Sequence, residues 1–413
     1  MKFFSNAYSR INTWQLRLKV VPRWVWITSV GLSFALIIAQ YFQGNCPYPL
    51  FDNTWALTLS SFFDRGERYE DEQDLMAINV GKEKAIAYQA DEFGDTIGSI
   101  AITNRYVLAE LLNFIRSTNY RYVFLDVRME DSISTPYDSL LFQTINSMPR
   151  LIVSRHSVET GFQLNSGINE DKTAMADYSS AVTEGFSRYQ YIQPEGESVA
   201  HVLYRNLIGD SIVDRGPLYF DSNHGLLCNN LAFIPLPVVI KDKYGSMGVS
   251  RYRYLRTEFR LNYTPDELRQ YMTGKIIVIG DFDNDVHNTY IGDKVPGPMI
   301  HYYAFKALEN MRHVVNLWVT LISFILYFLI LLALLTPSEC KVLNRRHHKV
   351  LRFLGALFGW NALLIFSKLL CYICFGVSVH TLLPSLLFSG IVLWRSIRRE
   401  ILEKRPIQNI IST

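Results

Sequence analysis

Signatures of catalysis are missing from this sequence of 413 residues. It has no Gly-x-Ser-x-Gly elbow, no Gly-x-x-x-x-Gly-Lys-Ser/Thr loop and no His-Glu-x-x-His pair, which are typical of hydrolases, P-loop proteins and zinc proteases. Internal repeats and low-complexity tracts are absent as well. The sequence therefore predicts a protein that is not an enzyme and needs no cofactor.

Acidic residues are absent from four long apolar runs. Each run has about 18 to 23 residues, enough to cross a hydrocarbon core of roughly 30 Å as a helix. The leader before the first run is long and basic, and no small-x-small pattern follows it, which favours a signal anchor over a cleaved signal peptide. We predict four transmembrane helices, at residues 24–43, 313–336, 353–375 and 377–394.

Basic residues mark one side of the predicted membrane. Residues 1–23, the loop 337–352 and the tail 395–413 each hold five Lys and Arg, with few acids. Because Lys and Arg near span ends favour the cytoplasmic side, both termini are predicted to be cytoplasmic. Residues 44–312 would then form one extracytoplasmic domain, and lipid would surround the spans.

The predicted extracytoplasmic domain is acidic, although the whole chain has a net charge of +3. It holds 25 Lys and Arg against 35 Asp and Glu. Nucleic-acid binding relies on neutralising phosphates with basic side chains. We therefore expect no nucleic-acid partner.

Cysteine is scarce, with five in the chain. Only Cys46 and Cys228 lie in the predicted extracytoplasmic domain, where they are a disulfide candidate; two buried free thiols are the alternative. Cys371 and Cys374 form a C-x-x-C inside an apolar run with no flanking strand. That setting favours ordinary apolar usage over a redox motif.

Short apolar runs alternate with helical patterns between residues 70 and 312. The runs "LMAINV", "YVFLDV", "RLIVS" and "KIIVIG" are nearly continuous, which favours strands covered on both faces. Residues 241–263 have a turn followed by Arg and Tyr, typical of a peripheral hairpin or an edge strand. Strand, helix and strand in this order predict an α/β domain with a mainly parallel sheet.

Two helix starts can be located from capping residues. The amphipathic segment "NRYVLAELLNFIRS" is predicted to form a helix with Thr103 or Asn104 as its N-cap. The segment "TPDELRQYM" begins with Thr264 as N-cap and Glu267 three residues later, the pattern of a capping box. Gly274 is expected to end that second helix.

Four sequence blocks follow in a fixed order: "MAINV" with Asn79, "ITNR" with Arg105, "FLDV" with Asp126, and "GKIIVIG" with Asp285 and "PGPMIHYYA". With one span before them and three after, they resemble the CHASE2 family of bacterial extracytoplasmic sensor domains over residues 24–396. The resemblance implies a sensor in the bacterial inner (cytoplasmic) membrane with an extracytoplasmic α/β domain.

The chain departs from the family pattern in three ways. Asn79 stands where the family has an acid, and Ile102 stands where it has a proline. Family members often continue into a kinase, cyclase or phosphatase, whereas 19 residues follow Trp394 here. We therefore expect no output domain of its own. Signalling would pass through a separate membrane or cytoplasmic protein. The sequence is also compatible with a homo-oligomer.

Three aspartates, Asp281, Asp283 and Asp285, follow the last predicted strand at the spacing of a calcium loop. An EF-hand needs Gly at the sixth position and Glu at the twelfth, where this chain has Val286 and Gly292. The histidines that follow lack zinc-site spacing and cysteine support. The sequence therefore predicts no metal site.

Loops beyond the carboxyl ends of parallel strands form the usual ligand crevice of an open α/β sheet. Asp126, Asp281 and Asp285 are expected to reach that edge, and Arg105 lies near the start of a helix. These four residues are the predicted ligand-binding candidates. A solvated loop without a ligand is the competing interpretation.

Three further polar residues stand out near or inside the predicted spans. His301 lies one turn into the last external helix. Two interpretations are open: it is a packed side chain, or it is a contact that couples the loop to the helix entering the membrane. Residues 298–335 are predicted to form one nearly continuous helix. Asn361 and Lys368 share a face of the third span, where Lys368 can snorkel and both are expected to face the bundle or a partner.

Three functions are compatible with these patterns. The favoured hypothesis is a membrane-anchored sensor or interaction protein that signals through a partner. The alternatives are a structural subunit of a cell-envelope complex and a metal-dependent ecto-enzyme.

Overall fold

The computed structural model describes a large part of the chain. The described residues are 21–45, 74–90, 93, 95–129, 133–156, 166–177, 189–193, 195–214, 220–222, 230–231, 253–254, 264–288, 294–311, 315–336, 349–375, 379 and 381–411. Cys46 and Cys228 lie outside these residues. The chain divides into a helical unit, Met1–Asn45, Pro217–Tyr219 and Val315–Thr413, and an α/β unit, Cys46–Gly216 and Phe220–Val314.

The described strands belong to the α/β unit. They are β1 Leu75–Asn79, β2 Lys84–Ala90, β3 Thr96–Thr103, β4 Tyr122–Asp126, β5 Ile133–Ser134, β6 Leu151–Arg155, β7 Thr173–Met175, β8 Tyr189–Gln190, β9 Ile192–Gln193, β10 Gly196–Glu197, β11 Val213–Asp214, β12 Phe220–Asp221, β13 Asn230–Leu231, β14 Arg253–Tyr254, β15 Ile276–Gly280, β16 Val286–Asn288 and β17 Lys294–Pro296.

The described helices occur in both units. They are α1 Arg23–Asn45, α2 Arg105–Arg116, α3 Asp138–Ser147, α4 Val199–Ile208, α5 Pro265–Met272, α6 Gly297–Glu309, α7 Leu317–Leu335, α8 Lys349–Phe375 and α9 Leu382–Ile411, with a short 3₁₀ turn at Glu170–Lys172.

The main sheet has six strands in the order β14-β1-β15-β4-β6-β7. Every neighbouring pair in it is parallel. The prediction of an α/β domain with a mainly parallel sheet is confirmed. Strand β14 lies at one edge, as predicted for part of residues 241–263. Smaller antiparallel sheets such as β3-β2-β5 and β16-β17 lie outside the main sheet.

Helices cover both faces of the main sheet. Strand side chains alternate between faces, and on one face Ile78 and Leu125 share a buried cluster with Leu108 of α2 and Leu141 of α3. On the other face, the ring of Phe124 lies 5.4 Å from that of His301 in α6. Full burial of such apolar side chains contributes roughly 1.5–3 kcal/mol each. Coverage on both faces explains why the strands are nearly continuous apolar runs.

The predicted helix starts agree with the observed caps. Asn104, one of the two candidates, caps α2 by accepting hydrogen bonds from two backbone N–H groups at 3.1 and 3.3 Å. Thr264 Oγ1 accepts from Glu267 N at 3.3 Å, and Glu267 Oε2 accepts from Thr264 N at 2.7 Å. Gly274 follows α5 with φ +74°, a left-handed conformation that favours glycine.

The predicted continuous helix over residues 298–335 is wrong. Helix α6 ends at Glu309, and Met311 has φ 51°, which is uncommon for a residue with a side chain. Helix α7 begins anew after Asn316, whose side chain accepts a hydrogen bond from Val319 N at 3.0 Å. Each of the two helices therefore has its own end.

The four helices of the helical unit pack around one apolar cluster. It includes Leu36 of α1, Tyr327 of α7, Leu364 of α8 and Phe388 of α9. Between α8 and α9, Ser385 Oγ donates to Asn361 Oδ1 at 2.6 Å. Lys368 is only 4% exposed. Within the unit, Lys368 is therefore buried and Asn361 is half-buried.

Two of the described helices are long and apolar enough to cross a membrane. They are Arg23–Gln40, with 18 residues and a mean hydropathy of 1.3, and Leu317–Leu335, with 19 residues and a mean hydropathy of 2.7. A shorter apolar helix covers Gly359–Phe375. By length and composition, the described residues thus account for part of the predicted set of four spans.

Substitution Thr264→Ala tests the capping box. Loss of the side-chain acceptor leaves a backbone N–H of α5 without its partner, so we expect a decrease of about 1 kcal/mol in the free energy of unfolding. Chemical denaturation of the full chain in detergent measures it. Gln270→Ala, at an exposed position of the same helix, is the control and should change stability by less than about 0.5 kcal/mol. Equal effects of the two substitutions would contradict the capping role.

Candidate functional site

The carboxyl ends of three adjacent strands meet at one edge of the main sheet. Asn79 of β1 pairs in register with Gly280 of β15, and Gly280 pairs with Asp126 of β4. Asn79 Oδ1 accepts hydrogen bonds from Gly81 N at 2.8 Å and from Phe282 N at 3.3 Å. This amide therefore ties the turn after β1 to the turn after β15.

A cavity of about 430 Å³ lies at this edge of the sheet. Four residues that the sequence singled out line it: Asp126, Asp281, Asp285 and His301. Further polar lining comes from Lys84, Arg128, Ser154, His156, Asp177 and His287. The predicted edge thus brings three of the four ligand-binding candidates together, and Arg105 is not among the residues that line the cavity.

Asp281 forms a turn and an ion pair. Its Oδ1 accepts from Asp283 N at 3.2 Å and from Asn284 N at 3.0 Å, and its Oδ2 lies 2.7 Å from Lys84 Nζ. Burial opposes ionisation of this carboxyl, but the hydrogen bonds from Lys84 and Asn284 outweigh it and lower the pKa of Asp281. The calcium-like spacing of the aspartates therefore serves a turn in this structure.

Asp285 is held between a histidine and a glycine. Its Oδ1 lies 2.9 Å from His287 Nε2, and its backbone oxygen accepts from Gly297 N at 2.8 Å. A Cβ atom at position 297 would lie 2.8 Å from Cγ of Asp285 and closer still to Oδ2. Only glycine lets the start of α6 approach this carboxylate so closely.

A second histidine and carboxylate pair follows the next strands of the sheet. His156 Nδ1 lies 2.9 Å from Asp177 Oδ1, just beyond β6 and β7. The hydrogen bond to Asp177 raises the pKa of His156 and outweighs the opposing effect of burial. We therefore expect this pair to be charged over a wider pH range than a free imidazole.

Asp126 differs from the other acids of the cavity. Its carboxyl accepts a hydrogen bond from Ser154, and no Lys, Arg or His nitrogen lies within 4.0 Å of it among the described residues. Burial, and next the charge of Asp285, raise the pKa of Asp126 from 3.8 to about 7. The hydrogen bond from Ser154 and the two nearby histidines oppose that rise. The carboxyl therefore exchanges its proton near neutral pH.

His301 is 1% exposed and neutral. Its Nδ1 lies 2.8 Å from the hydroxyl of Tyr189, which itself accepts from Ala200 N at 3.2 Å. The hydroxyl proton therefore goes to Nδ1, so that Nε2 carries the proton of the ring. Burial, more than any charge, lowers the pKa of His301 to about 3. His301 is therefore a packed side chain, one of the two interpretations of the sequence, and it also lines the cavity.

Arg105 is the first residue of α2, and its side chain packs against α3. Its side chain is 1% exposed, its Nη1 lies 2.6 Å from Asp138 Oδ1, and its guanidinium lies 5.7 Å from the ring centre of Phe142. None of its three guanidinium nitrogens makes a hydrogen bond of good geometry among the described residues, so the contact with Asp138 is an ion pair. Asp138 is thus the main compensation for a buried charge, and the expected ligand role of Arg105 has no geometric support.

Sequence reasoning missed Lys84, His156 and Asp177. His156 follows the run "RLIVS" closely, so a search for polar residues beyond every predicted strand would have found it. Asp177 follows β7, which has three residues and is too short for a periodic pattern. Lys84 comes from a separate antiparallel hairpin, whose position no local pattern reveals.

Metal ligation is not supported by the donor geometry. Within the part of the chain that the structure describes, no three His, Cys, Asp or Glu side chains lie together in a way that could hold a metal ion. In the cavity, His156 instead contacts Asp177, His287 contacts Asp285, and Asp281 contacts Lys84.

A scan of protein-family models matched no family, and searches of curated proteins and of solved structures found no match either.

Asp126→Asn tests the raised pKa of this carboxyl. A group whose pKa is raised from 3.8 to about 7 by folding binds its proton more tightly in the folded state, so its contribution to stability falls as pH rises between those values. The variant lacks this cost, and we expect its unfolding midpoint relative to wild type to increase by a few °C from about pH 4 to about pH 8. Parallel curves for the two proteins would contradict the shift. Asp266→Asn, at an exposed position, is the control substitution of the same chemical type.

Asp138→Ala tests the buried ion pair. It leaves the charge of Arg105 uncompensated, and we expect a loss of about 3–5 kcal/mol in the free energy of unfolding. Combining Asp138→Leu with Arg105→Met should recover most of that loss, since the charge is then gone. Asp266→Ala breaks an exposed pair with Arg269 and should cost less than about 1 kcal/mol. A loss for Asp138→Ala no larger than this control would show that the pair is unimportant. Denaturant titration of the full chain measures all three.

Proposed function

We propose that the protein is a sensor or interaction protein of the bacterial inner membrane, similar to the CHASE2 family. In this proposal the α/β unit lies outside the cytoplasm and binds a ligand in the cavity at the carboxyl edge of its sheet. A separate membrane or cytoplasmic protein receives the signal. The proposal is compatible with a homo-oligomer of this chain. The protein binds rather than catalyses.

One observation carries the ligand-binding part of the proposal. The cavity of about 430 Å³ lies where open α/β sheets bind ligands, beyond the carboxyl ends of parallel strands. Its volume is within the usual range for small-molecule sites, and it combines apolar walls with a few convergent polar groups. A solvated loop without a ligand would not need such a combination.

The exposed side chains of the helical unit support the membrane part. Large apolar residues face outward on all four helices, among them Ile27 on α1, Trp318 on α7, Phe366 on α8 and Leu386 on α9. In water such a surface would promote association, whereas lipid accommodates it. The basic segments in residues 1–23, 337–352 and 395–413 favour four spans with both termini in the cytoplasm.

A structural subunit of a cell-envelope complex is the second candidate. It is favoured by the hairpin of β2 and β3, where Ile86, Tyr88 and Ile97 are each more than half exposed on one face. An apolar face of this kind suits a protein partner. The cavity is the reason for preferring a ligand sensor.

A thermal-shift screen tests the proposed function. The full chain, purified in detergent, is heated with a panel of small metabolites, and a ligand at about 100 times its Kd should stabilise the folded state by about 2.7 kcal/mol. Gly297→Ala displaces Asp285 and should abolish the shift. Gly98→Ala is the matched control, since a Cβ atom there meets nothing within 4 Å. A panel without any shift, together with no partner in a detergent co-purification, would refute the sensor.

A further inference from the structure

The cavity also indicates what kind of ligand it takes. We propose that the ligand is a small organic cation, a primary amine or a guanidinium compound, whose positive group binds between the carboxylates of Asp126 and Asp285. This inference rests on the proposed function and adds the chemical class of the ligand.

Most charges of the cavity are already paired inside the protein. The pairs are Lys84 with Asp281 at 2.7 Å, His156 with Asp177 at 2.9 Å and His287 with Asp285 at 2.9 Å. Asp126 is different because its hydrogen-bond partner is the neutral hydroxyl of Ser154. The sum of these interactions leaves one carboxylate whose charge is not balanced by a contact.

Among the groups near Asp126, His156 and His287 act as positive charges but contact Asp177 and Asp285, while His301 and Tyr189 supply no positive charge. His301 is buried and neutral, because burial lowers its pKa to about 3. Tyr189 lies close enough to interact with the charge of Asp126, but burial raises the pKa of its hydroxyl, which stays protonated. Asp285 adds a second negative charge nearby. Two nearby carboxylates repel each other, and a proton or a cation between them reduces that repulsion.

The rest of the cavity suits the hydrocarbon part of such a ligand. Ile100, Ile102 and Val127 contribute apolar lining next to the acids. Ile102 and Val127 are buried, so they form a fixed wall and not a mobile surface. A volume of about 430 Å³ accommodates a molecule that is larger than a metal ion or an ammonium ion. An aliphatic amine satisfies both parts of the lining.

An anion fits the same site less well. Lys84 is held by Asp281 at 2.7 Å, and Arg128, the other basic side chain of the lining apart from the histidines, is exposed. An anion at the position of the proposed cation would face Asp126 and Asp285, which are like charges. The geometry therefore favours a positive ligand over a carboxylate or a phosphate.

Binding of a cation should depend on pH in a defined direction. The cation replaces the proton of Asp126, whose pKa is about 7. The ionised fraction rises from about one tenth at pH 6 to about nine tenths at pH 8, so the apparent Kd should fall about tenfold over that range. His156 stays in contact with Asp177, and His287 with Asp285, each at 2.9 Å.

Three compounds with one four-carbon frame test the ligand class. They are putrescine, 1,4-butanediol and succinate, with agmatine as the guanidinium probe. Isothermal titration of the full chain in detergent at about pH 6 and about pH 8, in buffers of different ionisation enthalpy, measures the Kd and the protons released. We expect putrescine or agmatine to bind, about tenfold more tightly at the higher pH and with proton release at the lower one. We expect the diol and succinate not to bind.

Two variants locate the site. Asp126→Asn and Asp285→Asn should each weaken amine binding at least tenfold, and Asp126→Asn should also remove the main part of the pH dependence. Asp266→Asn, whose side chain is 91% exposed in α5, should bind as wild type does. The unfolding midpoint of each ligand-free variant shows whether it folds, and the pH dependence of the wild type tests the proposal independently of any variant.

The outcomes separate this inference from the proposed function. Binding of succinate, the diol or another metabolite without binding of either amine would overturn the cation class and leave a ligand sensor standing. Amine binding that Asp126→Asn does not weaken, or that is tighter at the lower pH, would overturn the site. If neither these probes nor the metabolite panel binds, both proposals fail.

Discussion

Parallel pairing of β1, β15 and β4 is the constraint on which the candidate site depends. Parallel strands end at the same edge, and the register places Asn79, Gly280 and Asp126 side by side there. A shift of one residue in any of these strands would turn its end residue to the opposite face of the sheet. The apolar contacts on both faces resist such a shift, because the strand interiors are buried. The chemistry at the edge is therefore set by packing in the middle.

The ion pairs of the cavity orient side chains more than they stabilise the fold. Lys84 and His287 are each 36% exposed, and exposed pairs contribute about 0–1 kcal/mol. Their effect is to fix where each carboxylate points and to decide which carboxylate is left without a charged partner. The buried pair of Arg105 and Asp138 has the opposite character. It makes no contribution to the cavity, but the packing of α2 against α3 depends on it.

Local patterns predicted the elements that bury a regular apolar surface, and failed where tertiary contacts decide. The four apolar runs became β1, β4, β6 and β15, and the capping residues marked α2 and α5, since both signals are contained in a few adjacent residues. Arg105 was taken as a ligand-binding candidate near a helix start, since its ion-pair partner Asp138 is 33 residues away and no local pattern reveals it. Lys84 was missed for a similar reason, as it reaches Asp281 from a hairpin almost 200 residues earlier in the chain. The break at Met311 was missed because the apolar residues on both sides of it favour helix, although Asn316, the cap of α7, is a helix-start signal in the sequence.

Asn79 holds the turns at the edge of the sheet with a neutral side chain. Its oxygen accepts two backbone N–H groups, which a carboxylate could also do. An acid at this position would, however, place another negative charge beside Asp281, whose own charge already engages Lys84. The amide keeps the turn geometry without that competition. Lys84 therefore stays paired with Asp281, and the carboxylate that lacks a charged contact is Asp126, two strands away in β4.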